Sequence, residues 1–212
     1  MFKEIELDIT HMYTNGRVTR FLFGLEKPYP KRKTVRRIIQ MTDYYMEKYP
    51  SVNLVLVGDG LSTAKAEKEY GVTERYMDGK AVTPQDPGIR AMHTSSKCGL
   101  KSIITFNSYW INKSCNWDFL GNGNRIKKRV DIDDVTKKDY IQYIFIHEFA
   151  HALDLRYCLS DNKTIKKIYE NCSWKFTDIG EFIAECFVVS ELYRGNEIPD
   201  LIRESIEDIV NR

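Results

Sequence analysis

The chain has 212 residues, of which 42% are hydrophobic and 29% are charged, and its formal net charge is +2. This composition is typical of a globular protein with a substantial core, and no stretch approaches the roughly 18 apolar residues that span a bilayer. The N-terminal sequence MFKEIELDIT alternates charged and apolar residues, so we expect no secretory signal and a cytoplasmic location.

The cysteines give no sign of a disulfide framework. There are five of them, an odd number, at positions 98, 115, 158, 172 and 186. Their spacings are wide and no C-x-x-C motif occurs, so we expect reduced thiols and no zinc site built from cysteines.

The first 71 residues predict alternating strands and helices. Apolar alternation around the turn signal Asn15-Gly16 predicts a hairpin, and apolar residues at helical spacing predict a helix that ends at Tyr49. The predicted elements are strands over 3–9 and 17–23, a helix over 34–48, a strand over 52–60 and a helix over 62–71 with Ser62 as its cap.

The rest of the chain is predicted to be mainly helical. Residues 72–100 carry weak signals and indicate a loop or lid, followed by a strand over 101–111 and a loop or hairpin. The predicted helices are 137–157 with Thr136 as cap, 162–172, 178–193, and a last one beginning at Pro199. Strands first and helices later predict one α+β domain over 1–212, with N-terminal strands and helices in 1–90 and a catalytic core in 100–194.

The segment FIHEFAHALD, residues 145–154, carries two of the four histidines four positions apart. On a helix His147 and His151 lie on one face, so their imidazoles can converge on one metal ion. Zinc bound by three protein ligands keeps a position for water, and it lowers the pKa of that water toward 7. Glu148 is placed to take the proton as the water attacks a carbonyl group.

The alternative is a helix whose histidines are ordinary core or surface residues. The motif H-E-x-x-H specifies only three residues and can therefore occur by chance. The apolar run YIQYIFI before the motif buries one side of a strong helix and leaves the histidines beside a cleft. That context favours a zinc site.

A third protein ligand has to come from elsewhere, since no third histidine follows the motif. Glu181 and Glu185 are again four apart on a predicted helix and have apolar neighbours. Paired carboxylates in such a setting are costly to bury without a partner, and a zinc ion or a ligand histidine is a suitable one. The alternative is an exposed acidic helix face, and spacing alone does not choose between the two glutamates.

HEFAHALD followed by EFIAEC resembles the gluzincin type of zinc metallopeptidase, in particular the family of the anthrax lethal factor catalytic domain and related phage and bacterial peptidases. The resemblance covers about residues 100–194 and implies a zincin-like fold, with a small mixed sheet, an active-site helix and C-terminal helices. It assigns zinc ligation to His147, His151 and Glu181, proton transfer to Glu148, and support of a ligand to Glu185. Asp154 falls on the family's aspartate and is expected to support the site or the fold.

The chain departs from this family at one position. The family usually has a tyrosine seven residues before the ligand glutamate, where its hydroxyl stabilises the oxyanion, and here that position is Trp174. An indole N–H can donate a hydrogen bond but cannot act as an acid. Tyr169, Tyr157 or His93 could take over, and the loss of one oxyanion donor typically costs about 2.7–4 kcal/mol.

The strand SIITFNSYWI has two interpretations. In zincins an edge strand beside the active-site helix pairs with the extended substrate, which would bring residues 107–110 near the cleft. An ordinary core strand fits the sequence equally well.

These motifs predict a zinc-dependent peptidase, more readily an endopeptidase than an exopeptidase, acting on a protein or peptide without a membrane partner. A first alternative is a zinc-binding structural protein, for example a component of a phage particle, in which the peptidase site is inactive. A second is a phage-repressor-cleaving peptidase, for which we find no DNA-binding segment. The basic stretches at 27–37 and 125–129 are expected to be solvated surface, so a nucleic-acid partner is not predicted.

Overall fold

The computed structural model describes residues 6–25, 27, 29–60, 62–63, 67–72, 76–77, 80–81, 91–95, 101–111, 140–173, 176, 178–193 and 195–211. The chain divides into two compact units, Met1–Lys113 and Ser114–Arg212, which we describe separately. The α+β class is confirmed, with a mixed sheet in the first unit and helices in the second. The single domain over 1–212 stays a prediction.

A five-stranded sheet forms the first unit. The strands are β1 (Leu7–Met12), β2 (Val18–Phe23), β3 (Leu54–Asp59), β4 (Tyr76–Met77), β5 (Lys80–Ala81), β6 (Ala91–Ser95) and β7 (Ser102–Phe106). The sheet has the order β1-β2-β3-β7-β6, while β4 and β5 pair separately. Its three middle strands are parallel and its two outer pairs antiparallel. Every residue of β3 and β7 is buried, which explains why their sequences are mainly apolar.

The N-terminal hairpin is tied to helix α1 (Arg32–Lys48). The turn at Gly16 has a φ of +77°, as the sequence signal predicts. Asp43 on α1 accepts a hydrogen bond from the Tyr13 hydroxyl at 3.1 Å and lies 2.9 Å from His11 Nδ1. β1 spans Leu7–Met12, so the predicted strand over 3–9 ends too early, and residues 3–5 lie outside the described part.

Asp59, at the end of β3, caps the helical turn that follows it. The carboxylate of Asp59 accepts the Ser62 N–H at 3.0 Å, so the prediction of Ser62 as the cap is wrong. The Ser62 hydroxyl instead accepts the Leu25 N–H. The C-terminal part of the predicted helix is a 3₁₀ turn over Glu67–Tyr70 that ends at Gly71, whose φ is +85°. Residues 61 and 64–66 lie outside the described part.

The region predicted as a loop contains three strands that the sequence did not predict, the two-residue strands β4 and β5 and the longer β6. β6 pairs antiparallel with β7 and forms the edge of the described sheet. β7 therefore has a neighbour on both sides, and its interpretation as an edge strand is wrong while that of a core strand is confirmed. The strand also ends at Phe106, and helix α2 (Ser108–Ile111) follows it.

Four longer helices form the described part of the second unit: α3 (Tyr140–Tyr157), α4 (Lys163–Asn171), α5 (Ile179–Leu192) and α6 (Glu197–Val210). α5 packs against both α3 and α6, and along it every residue from Phe182 to Ser190 except Glu185 is buried. Thr136 and the predicted loop after residue 111 lie outside the described residues. The last helix begins at Glu197, two residues before the predicted start at Pro199. Proline is tolerated at this third position because the first N–H groups of a helix make no intrahelical hydrogen bond.

Two predictions about the whole chain can be compared with the described residues. Cys158, Cys172 and Cys186 form no disulfide in the described part of the chain, and the other two cysteines lie outside it. No described helix has the length and apolar character needed to cross a membrane.

Candidate metal centre

Three potential metal ligands meet where α3 packs against α5. His147 and His151 lie one turn apart on α3, and their Nε2 atoms are 3.3 Å apart. Glu181 on α5 faces both, with one carboxylate oxygen 3.4 Å from His147 Nε2 and the other 3.4 Å from His151 Nε2. One ligand atom from each side chain can be chosen so that all lie within 4.8 Å of one another.

These distances fit the chemistry of zinc. Two nitrogens bound to one zinc at about 2.0–2.1 Å with a tetrahedral angle are roughly 3.3–3.4 Å apart. The three separations around His147, His151 and Glu181 are of this size. Two imidazole nitrogens and a carboxylate are also a donor set that zinc accepts in catalytic sites.

The position of Glu181 follows from the start of its helix. Asp178 is the N-cap of α5, and its carboxylate accepts the Glu181 N–H at 2.9 Å. This bond fixes the first turn, in which a negative side chain also interacts favourably with the helix dipole. The Glu181 side chain keeps 41% of its surface exposed, so the site is open to solvent on this side.

Glu185 lies on the other side of His147. Its carboxylate oxygen is 3.8 Å from His147 Nδ1, and its second oxygen accepts a short hydrogen bond from the Tyr143 hydroxyl. His147 Nδ1 is buried and has no hydrogen-bond partner. The two glutamates are thus separated by position: Glu181 faces the Nε2 atoms, while Glu185 faces the nitrogen that would carry the remaining N–H of a metal-bound His147.

The electrostatics of the centre favour a bound cation. Burial by itself lowers the pKa of His147, but the contact with Glu181 and the charges of Glu148 and Glu185 outweigh it and raise that pKa to about 9. The same contacts with His147 and His151 hold the pKa of Glu181 well below its usual range. Without a metal, the site therefore retains a proton where a cation would be.

Glu148, the predicted base, is half-buried on α3 beside His147. Its negative charge contributes to the raised pKa of that histidine. It does not belong to the three-residue group that could hold a metal, which is the arrangement expected of a residue that acts on water.

Asp154 supports the fold next to the centre. Its carboxylate accepts hydrogen bonds from the Ser160 N–H at 2.7 Å and from the Ser160 hydroxyl, which closes the turn after α3. A Cβ on Gly180 would lie 3.6 Å from this carboxylate and 3.2 Å from that of Asp178. The ends of α3 and α5 therefore approach closely at this glycine.

The predicted oxyanion donors that the structure describes have other contacts. Trp174 lies outside that part of the chain. The ring of Tyr169 packs against Phe182, with centroids 5.2 Å apart, as a core aromatic residue does. His93 belongs to the first unit, where its Nε2 is 3.1 Å from the Ser102 hydroxyl.

Tyr143 is a site residue that sequence reasoning missed. It is buried, its ring stacks on His147 with centroids 6.3 Å apart, and its hydroxyl holds Glu185. The sequence does place Tyr143 four residues before His147, and this spacing predicts that both side chains lie on the same helix face.

Comparisons of the chain with protein-family models, with curated proteins and with solved structures gave no significant match. The family likeness therefore rests on the motifs HEFAHALD and EFIAEC.

Proposed function

We propose that the protein is a zinc-dependent peptidase with a zincin-like arrangement of its site. The observation that carries this proposal is the group His147, His151 and Glu181, whose ligand atoms are spaced as zinc requires, with Glu148 next to the first histidine. A site that only holds a metal for structure has no need of Glu148. An accessible Glu181 on one side favours a catalytic site over a closed structural one.

Zinc, when bound, supplies a Lewis acid that polarises a carbonyl group and makes water acidic. The residues of the chain then have distinct tasks. Glu148 accepts the proton of the attacking water as the carbon–oxygen bond forms, and it returns that proton to the amine nitrogen as the carbon–nitrogen bond breaks. Solvent access on the Glu181 side is compatible with cleavage within a peptide chain, so we favour an endopeptidase.

Glu185 and Tyr143 orient His147. A metal-ligating histidine almost always donates its other N–H to a carboxylate or carbonyl group, which fixes the tautomer. Glu185 is the carboxylate on that side, at 3.8 Å, and Tyr143 holds it through a hydrogen bond. The aromatic ring of Tyr143 also stacks on the imidazole.

The test compares three full-length proteins: wild type, Glu148→Gln and Glu170→Gln. Glu170→Gln is the control, because it removes the same charge from an exposed glutamate on α4. We expect about one zinc per chain in all three by elemental analysis. Cleavage of a peptide mixture, followed by mass spectrometry, should fall about 10²–10⁴-fold in Glu148→Gln alone.

Two outcomes would contradict the proposal in different ways. A wild-type protein without zinc after reconstitution would remove the metal centre. Zinc in all three proteins, with no cleavage or with equal cleavage in Glu148→Gln, would leave the alternative of a zinc-binding protein without peptidase activity.

A further inference from the structure

A groove in the first unit is lined by residues that have no part in the candidate metal centre. It encloses about 480 Å³, within the range of small ligand sites. It lies on one face of the sheet, where alternate residues of β1 and β2 are paired: Asp8 with Leu22, Thr10 with Arg20, and Met12 with Val18.

This face is closed at one end and open at the other. Leu22 belongs to a buried cluster with residues of β3 and β7, and Tyr70 packs against it. At the open end Met12 is 77% exposed and its cross-strand partner Val18 is 38% exposed. Val18 and Tyr70 line the groove, so it extends from the exposed end of this face toward the residue that packs on the buried cluster.

Cations line the groove. Arg20 is held by Asp8 in a two-pronged ion pair, with nitrogen–oxygen distances of 2.9 and 2.8 Å, and also contacts Glu69. Lys101 Nζ lies 5.7 Å from the centre of the Tyr70 ring. Among the described residues no carboxylate pairs with Arg17 or Lys101, and both side chains are half-buried. Two cations at the groove thus have no acidic partner within the described part of the chain.

The positions of these two cations define what they can bind. Arg17 precedes β2 and Lys101 precedes β7, which is two strands away in the sheet, with β3 and its residue Val55 between them. The backbones of β2 and β7 are therefore two strand spacings apart, which is about 9.6 Å. A single phosphate or carboxylate bound there would leave the apolar surface of Val18 and Val55, which also line the groove, uncovered. An extended peptide in the polyproline II conformation has three residues per turn, so acidic residues at positions i and i+3 lie on one face, about 9.3 Å apart along the chain.

We propose that this groove binds an acidic peptide in extended form. Carboxylates of the peptide pair with Arg17 and Lys101, and an apolar residue between them packs on Val18 and Val55. The proposal is independent of zinc and of peptidase activity.

The experiment uses two dye-labelled peptides and fluorescence anisotropy with the full-length, metal-free protein. One peptide contains Glu-Leu-Val-Glu and the other contains Gln-Leu-Val-Gln in the same flanking sequence. Two ion pairs at a partly exposed site are together worth about tenfold in Kd. We therefore expect the acidic peptide to bind about tenfold more tightly, and high salt to remove the difference.

Two double variants locate the site. Arg17→Gln with Lys101→Gln should reduce affinity for the acidic peptide about tenfold. Lys33→Gln with Arg36→Gln changes the net charge equally at exposed positions on α1 and should leave the affinity within about twofold. Circular dichroism checks that both variants are folded.

Three results would overturn the proposal. They are equal binding of the two peptides, an equal loss of affinity in both double variants, and complete displacement of the peptide by inorganic phosphate at equal ionic strength. The last result would indicate a site for a single anion.

Discussion

The buried carboxylate of Asp59 in the first unit is satisfied by the protein, whereas a buried nitrogen of the metal centre, His147 Nδ1, has no hydrogen-bond partner among the described residues. Asp59 is fully buried, and its carboxylate accepts the Gly24 N–H at 2.7 Å and the Ser62 N–H at 3.0 Å. Burial raises the pKa of Asp59, against these hydrogen bonds and one from Ser108. Each acceptor faces a donor, so this cluster joins the ends of β2 and β3 without any ligand.

The cluster on α3 and α5 has the opposite character. Two imidazole nitrogens and two carboxylates converge, and His147 Nδ1 is buried without a hydrogen-bond partner. A group of acceptors at these distances needs a proton or a metal ion between them. The comparison teaches that the pairing of donors with acceptors distinguishes a structural polar cluster from a binding site.

The largest effect is expected from the loss of a zinc ligand. In Glu181→Gln the carboxylate that faces both histidines becomes a neutral amide. We expect zinc affinity to fall about 10³-fold, or roughly 4 kcal/mol, in competition titrations with a chelating dye. Glu170→Gln should bind as the wild type does. Wild-type affinity in Glu181→Gln would show that the third ligand is another residue.

Asp59→Ala tests whether the hydrogen-bonded cluster around Asp59 stabilises the first unit. The substitution leaves the Gly24 and Ser62 N–H groups buried without acceptors, so we expect the free energy of unfolding to fall by about 3 kcal/mol. Urea unfolding monitors the change. Asp161→Ala, at a position whose side chain is 82% exposed, should change stability by less than about 0.5 kcal/mol. Similar values for the two variants would mean that the Asp59 cluster does not hold the strand ends together.

The proton at the metal centre predicts a pH dependence of the metal-free protein. The pKa of His147 is raised to about 9 from an unfolded value near 6.5, so this proton stabilises the folded chain fully below pH 6.5. The stabilisation is lost as the pH rises through about 9, and amounts to on the order of 2–3 kcal/mol.

Urea unfolding at several pH values in the presence of a chelator measures this effect. The wild type should lose stability between pH 6.5 and 9 relative to His147→Gln, in which the group that titrates is absent. Parallel curves for the two proteins would place the proton elsewhere.

The sequence predicted the local features of the site better than its tertiary ones. The spacing of His147 and His151 fixes a common helix face without any knowledge of the fold. Glu181 and Glu185 also share a face, so their different roles depend on how α5 packs against α3, which spacing does not encode. β6 was missed because AMHTS is short and lacks clear alternation, and it is a strand because β7 offers it a partner. Asp59 was counted as part of a strand, which concealed its action as a cap on the next turn.

The smallest effect on zinc affinity is expected for Glu185 and Tyr143, which lie on the Nδ1 side of His147. Their substitution tests whether this nitrogen belongs to a metal site. Partners of this kind typically change metal affinity 10–100-fold when removed, so Glu185→Gln should weaken zinc binding about tenfold or more. Tyr143→Phe keeps the ring that stacks on His147 and loses only the bond to Glu185, so we expect a loss of roughly threefold to tenfold.

The order of the two losses carries the argument. Because the Tyr143 hydroxyl acts on His147 only through Glu185, the double variant should lose no more affinity than Glu185→Gln alone. Additive losses would mean that the Tyr143 hydroxyl acts by a route other than Glu185, and an unchanged affinity in Glu185→Gln would mean that His147 Nδ1 finds its partner elsewhere when zinc is bound. The second result would separate the buried nitrogen from the Glu185 carboxylate and would weaken the contrast with Asp59.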